Sequence, residues 1–371
     1  SMKRRILFLA TSVLVGLTAS AQTLTTPAGG GNKRASVSEN IGLTTVTITY
    51  DRPAVKGRDG KIWGDLVHYG FRDLGFGTSK AAPWRAGANE NTVFATSSDV
   101  KVEGKLLPAG KYGLFMAVYA DSVAVIFSKN HTSWGSYTYN PAEDALRVRV
   151  IPKKDQPLLE RLAYEFTDQT DNAATVSLAW ERWRIPFRVE VDVHGGVLAS
   201  FRNELRDQKG FNWQNWVQAV NYCLQNNVNL EEALTWADAG IAMPFIGQKN
   251  FQTLSAKAQV LAKLNRAAEA DALMKEALPL GSVQELHGYG RSLMAQKRVA
   301  DALEVFKLNA QKNPNVFTTN VGLARGYSAT GDYKTALKYA KAALPQAPDD
   351  LNRRSVTGMV EKLTAGQDAN N

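Results

Sequence analysis

The chain has 371 residues, with 44 lysines and arginines against 35 aspartates and glutamates, for a formal charge of +9. An apolar content of 44% excludes a disordered chain and is enough for two domains with ordinary cores, while a single cysteine excludes an internal disulfide. The positive charge is spread without a block of like charges, so neither nucleic acid nor a membrane surface is indicated as a partner.

The first segment reads as an address. Lys3-Arg4-Arg5 is a basic start, Ile6 to Leu17 is apolar or small, and Ala19-Ser20-Ala21 is a small-residue cleavage site that predicts a mature start at Gln22. The apolar run is too short to span a bilayer. No cysteine follows it closely, so no lipid anchor is indicated. The expected organisation is a signal peptide over 1–21, a flexible linker over 22–35, a β-domain over 36–195 and a helical domain over 196–371. Such a chain is exported, to the periplasm of a Gram-negative cell or beyond it, and carries no membrane span after cleavage.

Residues 44–50 (Thr-Thr-Val-Thr-Ile-Thr-Tyr) alternate strictly and predict a strand. Further strands are predicted over 91–96, 99–102, 111–118, 122–128, 145–151, 160–166, 174–180 and 183–193. Gly, Pro, Asn and Asp punctuate them. About nine strands with no helix among them predict an antiparallel β-sandwich or jelly-roll-like domain, with Leu114, Val125, Phe127, Leu178 and Trp180 in its core.

At Gly195-Gly196 the pattern changes, and from Phe201 onward it is helical. Gly331-Asp332-Tyr333 turns one helix into the next, preceded by Leu323 and Tyr327 and followed by Ala343, Leu344 and Pro348. That mixture of small and large residues resembles a tetratricopeptide repeat, and looser copies precede it at Ala302-Leu303, around Ala270 and over 216–241. Four helical pairs and a closing helix over 351–363 can stack a continuous core. The groove of such an array takes a protein or peptide partner, and Lys257, Arg291, Asn320 and Arg325 are candidates for lining it. Cys223, among Val220, Tyr222 and Leu224, is expected to be a buried small hydrophobe.

Several motifs in the β-domain occur in order. They are Arg52-Pro53 with Lys56-Gly57-Arg58, Trp84-Arg85 with Gly87-Ala88-Asn89-Glu90 and Thr92, Leu107-Pro108-Ala109-Gly110, and Trp134-Gly135. Through them the segment from Ser36 to Val193 resembles the bacterial domain-of-unknown-function family 2911, found in exported proteins of Bacteroidetes-type bacteria. The resemblance implies a fold and an export address, and no activity. Where the family has Leu-Val-Pro-Tyr-Gly, this chain has Leu66-Val67-His68-Tyr69-Gly70, and Phe71 to Pro83 reads as an insertion.

The residues that could recognise a ligand are Arg52, Lys56, Arg58, Trp84, Arg85, Asn89, Glu90, Lys129 and Trp134. Arginine offers a planar fork to carboxylate or phosphate, asparagine both donor and acceptor, and tryptophan a stacking face. Together they suit an anionic or glycan ligand. The same residues also fit a purely structural role, with Arg85 paired to Glu90 across a turn, Asn89 in the left-handed region, and Trp84 and Trp134 in the core. No catalytic motif, metal-ligand spacing or cofactor loop is present: the four histidines are far apart and no nucleophile elbow occurs. The chain therefore reads as a non-enzymatic binding or scaffold protein. The alternative is an envelope hydrolase acting on glycans at the Trp84–Glu90 turn, which requires a second carboxylate across a cleft.

Overall fold

The computed structural model describes Leu24 and residues 30–371, which form two units meeting at Val193/His194. The expected signal segment and half of the expected linker lie outside the described residues.

The first unit is a sandwich of two antiparallel sheets. One runs β1 (Lys33–Ile41), β2 (Thr44–Arg52), β3 (Thr92–Thr96), β6 (Gly110–Val118), β7 (Val123–Ser128) and β8 (Asp144–Val150). The other runs β5 (Lys105–Leu107), β4 (Val100–Val102), β11 (Trp183–Glu190), β10 (Ala173–Glu181) and β9 (Leu159–Thr170). Alternation makes the core. In β11, Trp183, Ile185, Phe187 and Val189 are buried, and Arg184, Pro186, Arg188 and Glu190 between them are partly exposed. Phe94 and Phe127 of the first sheet meet Phe187 of the second, with ring centroids 6.3 and 5.7 Å away.

Eleven strands form where about nine were expected. β1 escaped the sequence reading because its composition, Lys-Arg-Ala-Ser-Val-Ser-Glu-Asn-Ile, is that of an edge strand whose outward residues stay wet. It nonetheless pairs along its whole length with β2. β1 therefore takes in the last three residues, 33–35, of the stretch expected as linker. β5 is three residues long, too short to carry a pattern.

The second unit opens with α1 (Val193–Glu204), so Gly195-Gly196 lies inside a helix and does not break the chain. Four antiparallel pairs follow: α2 (Trp213–Asn226) with α3 (Leu230–Ala242), α4 (Phe251–Lys263) with α5 (Ala267–Ala277), α6 (Val283–Ala295) with α7 (Val299–Lys312), and α8 (Phe317–Ala329) with α9 (Tyr333–Ala343). α10 (Asp350–Thr364) closes the row. Capping boxes start α4 (Asn250 with Thr253) and α6 (Ser282 with Glu285), which satisfies otherwise orphaned N–H groups.

Glycine sets the closest crossings. A Cβ on Gly290, Gly322 or Gly326 would lie 2.5, 2.7 or 2.9 Å from the buried Phe306 ring, so this phenylalanine of α7 seats against bare backbone of α6 and α8. Cys223 is fully buried in the core of the first pair, and burial pushes its thiol up, as its apolar neighbours in sequence implied. No described helix is long and apolar enough to cross a membrane.

Candidate functional site

The motif around Arg85 is a loop built against the sandwich. Trp84 exchanges both backbone hydrogen bonds with Met116 of β6, at 2.9 Å each, which anchors the loop's start. The chain then turns through two left-handed residues, Ala86 (φ 52°) and Asn89 (φ 55°). Asparagine tolerates that region and alanine does not, so Ala86 is strained and must be held. Its carbonyl accepts from the Thr92 hydroxyl at 3.0 Å and from the fully buried Tyr164 hydroxyl at 2.8 Å. Gly87 between them is obligatory: a Cβ would lie 2.6 Å from the Thr92 hydroxyl oxygen and 3.2 Å from the Asp51 carbonyl oxygen.

Arg85 closes the loop from the other side. Its Nη1 donates to the Asn89 carbonyl at 2.9 Å, and its guanidinium lies 5.0 Å from the Trp134 ring and 5.9 Å from the Tyr137 ring. Trp134 and Tyr137 stack, with planes 10° apart. The segment 71–83, expected as an insertion of this chain, supports this stack: Arg72 and Ala82 exchange backbone hydrogen bonds, Ser79 N–H donates to the Tyr137 carbonyl, and Phe76 meets the Tyr137 ring edge-on.

Six of the nine candidate residues line one cavity of about 450 Å³: Lys56, Arg58, Trp84, Arg85, Asn89 and Trp134. Sequence reasoning missed Trp180 as a lining residue because its strand position marked it as core. It is core, at 1% exposure, yet it borders the cavity and its indole N–H is buried without a hydrogen-bond partner. Among the described residues no carboxylate lines the cavity. Arg58 is partly spent, donating to the Val55 and Ala54 carbonyls at 2.8 Å each. Lys56 is exposed, its backbone in the left-handed region (φ 51°) ahead of Gly57.

The other three candidates lie elsewhere. Arg52 donates from Nε to the Leu162 carbonyl at 2.8 Å and ties β2 to β9. Lys129 is exposed at the end of β7 and does not line the cavity. Glu90 is not paired with Arg85. It sits 3.4 Å from Arg34 of β1 and hydrogen bonds Asp51, a residue that sequence reasoning did not flag. Burial first, then Glu90, push the Asp51 carboxyl up, while the same hydrogen bond draws Glu90 down. Trp134, offered by the structural reading as core, is 59% exposed. Trp84 is half-buried and packs on the core edge-on to Trp63.

In the helical unit, Lys257 pairs with Asp238 of α3 at 2.6 Å, and Asn320 is buried, donating to Asn315 and Gln346. Both are therefore engaged within the array. Among the described residues no group of three or more His, Cys, Asp or Glu side chains converges as a metal site would require.

Residues 32–189 match the model of a family described as "Protein of unknown function (DUF2911)", so the resemblance carried by the ordered motifs holds across the β-unit. No curated protein matches the chain. Similar solved structures include a putative kinesin light chain of Podosopora anserina with nearly identical TPR-like repeats, at 14% identity and TM-score 0.30, covering 41% of this chain and 85% of that one. Another is YrrB, a TPR protein with an unusual peptide-binding site, at 16% identity and TM-score 0.24, covering 42% and 97%. A third is the APC/C hetero-tetramer Cut9–Hcn1, at 15% identity and TM-score 0.31, covering 46% and 33%. The tetratricopeptide-like architecture of the helical unit stands on its own four helix pairs and their glycine-seated crossings.

Proposed function

We propose that the chain is an exported, non-enzymatic binding protein whose β-unit captures an anionic ligand and whose helical array docks a protein partner. The observation that carries the first half is the cavity bordered by Lys56, Arg58 and Arg85, with the faces of Trp84 and Trp134 beside them and no carboxylate in the lining. Three cations in a lining with no carboxylate among the described residues favour an anion, and aromatic faces favour a flat or sugar-like body attached to it. The unpartnered Trp180 N–H adds a donor without an acceptor. Strain at Ala86, held by Thr92 and Tyr164, supports a pre-organised loop. The docking half rests on the repeat array, an architecture whose groove serves protein interaction.

The hydrolase alternative draws less support. Its proposed acid, Glu90, does not line the cavity, and the carboxyl nearest to it is Asp51, within hydrogen-bonding distance and not across a cleft.

Thermal shift of the chain against aromatic carboxylates, sugar phosphates and uronic acids tests the reading. A ligand at a hundred times its Kd stabilises the folded state by about 2.7 kcal/mol. Lys56→Ala should abolish that gain without changing the melting point of the free protein, because the Lys56 side chain is exposed. Stabilisation that survives both Lys56→Ala and Arg85→Ala would show that the ligand binds elsewhere.

A further inference from the structure

Half of the eight arginines of the helical unit pair with a carboxylate, while Arg206 and Arg354 reach only Asn203 and the Asp350 carbonyl. Arg202, Arg266, Arg298 and Arg353 each bind a carboxylate, from Glu232, Glu269, Asp301 and Asp350 respectively. Arg291 and Arg325 have no ion pair among the described residues. They occupy equivalent places, each the ninth residue of its helix, on α6 and α8. His287 stands one turn before Arg291, and the absence of a side chain at Gly322 lets its ring approach α8, where a Cβ would lie 3.3 Å from Nδ1. His287 Nδ1 and Arg325 Nε are both buried without a hydrogen-bond partner.

Three nitrogen-bearing side chains thus face one another across two helices. Burial, then Arg291 and Arg325, hold the His287 imidazole down to about 4, and burial and Arg291 lower Arg325. Adjacent cations with no counter-ion are an arrangement that an anion completes.

The shape of the anion is indicated by this chain itself. After α10 a non-helical segment lies on α8: Ala369 N–H donates to the Ser328 hydroxyl at 2.8 Å, which donates to the Asp368 carboxylate at 2.7 Å. Asn370 Nδ2 donates to the Arg325 carbonyl at 3.0 Å, and Arg325 Nη1 reaches Asn370 Oδ1 only at 3.5 Å. A peptide with one carboxylate is therefore already seated beside the cluster, and it satisfies Ser328 but neither His287 nor Arg291. These, with Lys362 near Asp368, are the charged and titratable groups of the patch.

We propose that the shared face of α6 and α8 docks an acidic peptide segment of a partner, whose Asp or Glu carboxylates are taken by Arg291, Arg325 and His287. This rests on the reading of the array as a docking unit and names the chemistry of what docks.

The test immobilises the full chain and presents a pool of nonapeptides random in Glu, Gln, Lys and Leu. Retained peptides should be enriched in Glu, and a labelled Glu-rich member should bind roughly tenfold more weakly to Arg291→Gln, the loss expected when one partner of a charge pair is removed. Lys341→Gln, an exposed change on α9, should leave affinity unchanged. Because Arg291 is exposed, its variant folds even if Arg325→Gln does not. In the bound state the His287 ring should titrate at a higher pH than in the free protein, as judged by imidazole nitrogen shifts. Retention of peptides without Glu enrichment overturns the acidic class and keeps the docking reading; equal losses with Arg291→Gln and Lys341→Gln overturn the site; retention of nothing overturns both readings.

Discussion

The two units use their arginines differently. In the β-unit many reach backbone carbonyls, as Arg52 does Leu162, Arg58 Ala54 and Val55, Arg85 Asn89, and Arg184 Trp183 and Pro157, beside Arg34, Arg147, Arg182 and Arg188, which bind carboxylates. In the helical unit only Arg354 reaches a backbone carbonyl among the described residues, and four bind carboxylates, commonly three residues away along a helix, as with Arg266–Glu269 and Arg298–Asp301. Backbone accounting explains the contrast. Long loops leave carbonyls that no ladder satisfies, and a guanidinium fork is a ready donor for them, whereas helices satisfy their own carbonyls and leave cations to seek charge. Among the described residues the Arg291 side chain has neither a hydrogen bond nor an ion pair, and that of Arg325 has only its long contact with Asn370.

The contrast is broken most forcefully at the packing of the helical unit. Phe306→Ala removes the ring that seats against Gly290, Gly322 and Gly326, and no side chain on α6 or α8 at those positions can fill the space. A loss of about 3–5 kcal/mol is expected. In denaturant the helical signal at 222 nm should melt early while tryptophan fluorescence dominated by the β-unit keeps its midpoint. Simultaneous loss of both signals would mean that the two units do not unfold separately.

A smaller effect sharpens the other side. Tyr164→Phe keeps the buried ring and removes the hydroxyl that donates to the Ala86 carbonyl, leaving Thr92 alone to hold a left-handed alanine. The β-unit should lose about 1–3 kcal/mol, and amide exchange over 86–92 should accelerate. An unchanged midpoint with unchanged exchange would show that the loop is held by Arg85 and its aromatic stack instead.

Much of this was legible from residues alone, where period and turn chemistry speak locally. The strict alternation of 44–50, the glycine–aspartate turn before α9 and the cavity-forming Trp84–Asn89 motif all report on neighbours within a few positions. What stayed hidden is long-range. Arg34 and Asp51, which engage Glu90, come from a polar edge strand and from the end of β2, and no local pattern links them to residue 90. Trp180 reads as core and is core, so only the shape of the cavity shows that it also borders that space. Lys257 and Arg291 look alike in sequence, spaced by one repeat length. α4 begins 32 residues before α6, however, whereas α6 begins 34 before α8, so Lys257 is rotated onto α3 and Gln259 takes the place equivalent to Arg291. Two residues of spacing separate a bound lysine from a free arginine.

The smallest expected effect bears on that free pair. His287 has its imidazole held down to about 4, against an ordinary value of 6.5, so between these limits the unfolded chain binds a proton that the folded one does not. The linkage sign follows: stability is complete above pH 6.5 and drains as pH falls toward 4, because protonation favours the unfolded state. Since the ring is half-buried, solvent screening reduces the amount. Guanidinium melts from pH 7.5 to 4.5 should show the helical midpoint falling, and His287→Gln should flatten that slope. Adding an acidic peptide should flatten it too, since a carboxylate between Arg291 and Arg325 stabilises the imidazolium in the folded state. A slope that persists in His287→Gln would assign the pH response to another group and would detach His287 from the cluster, leaving two arginines to carry the charge.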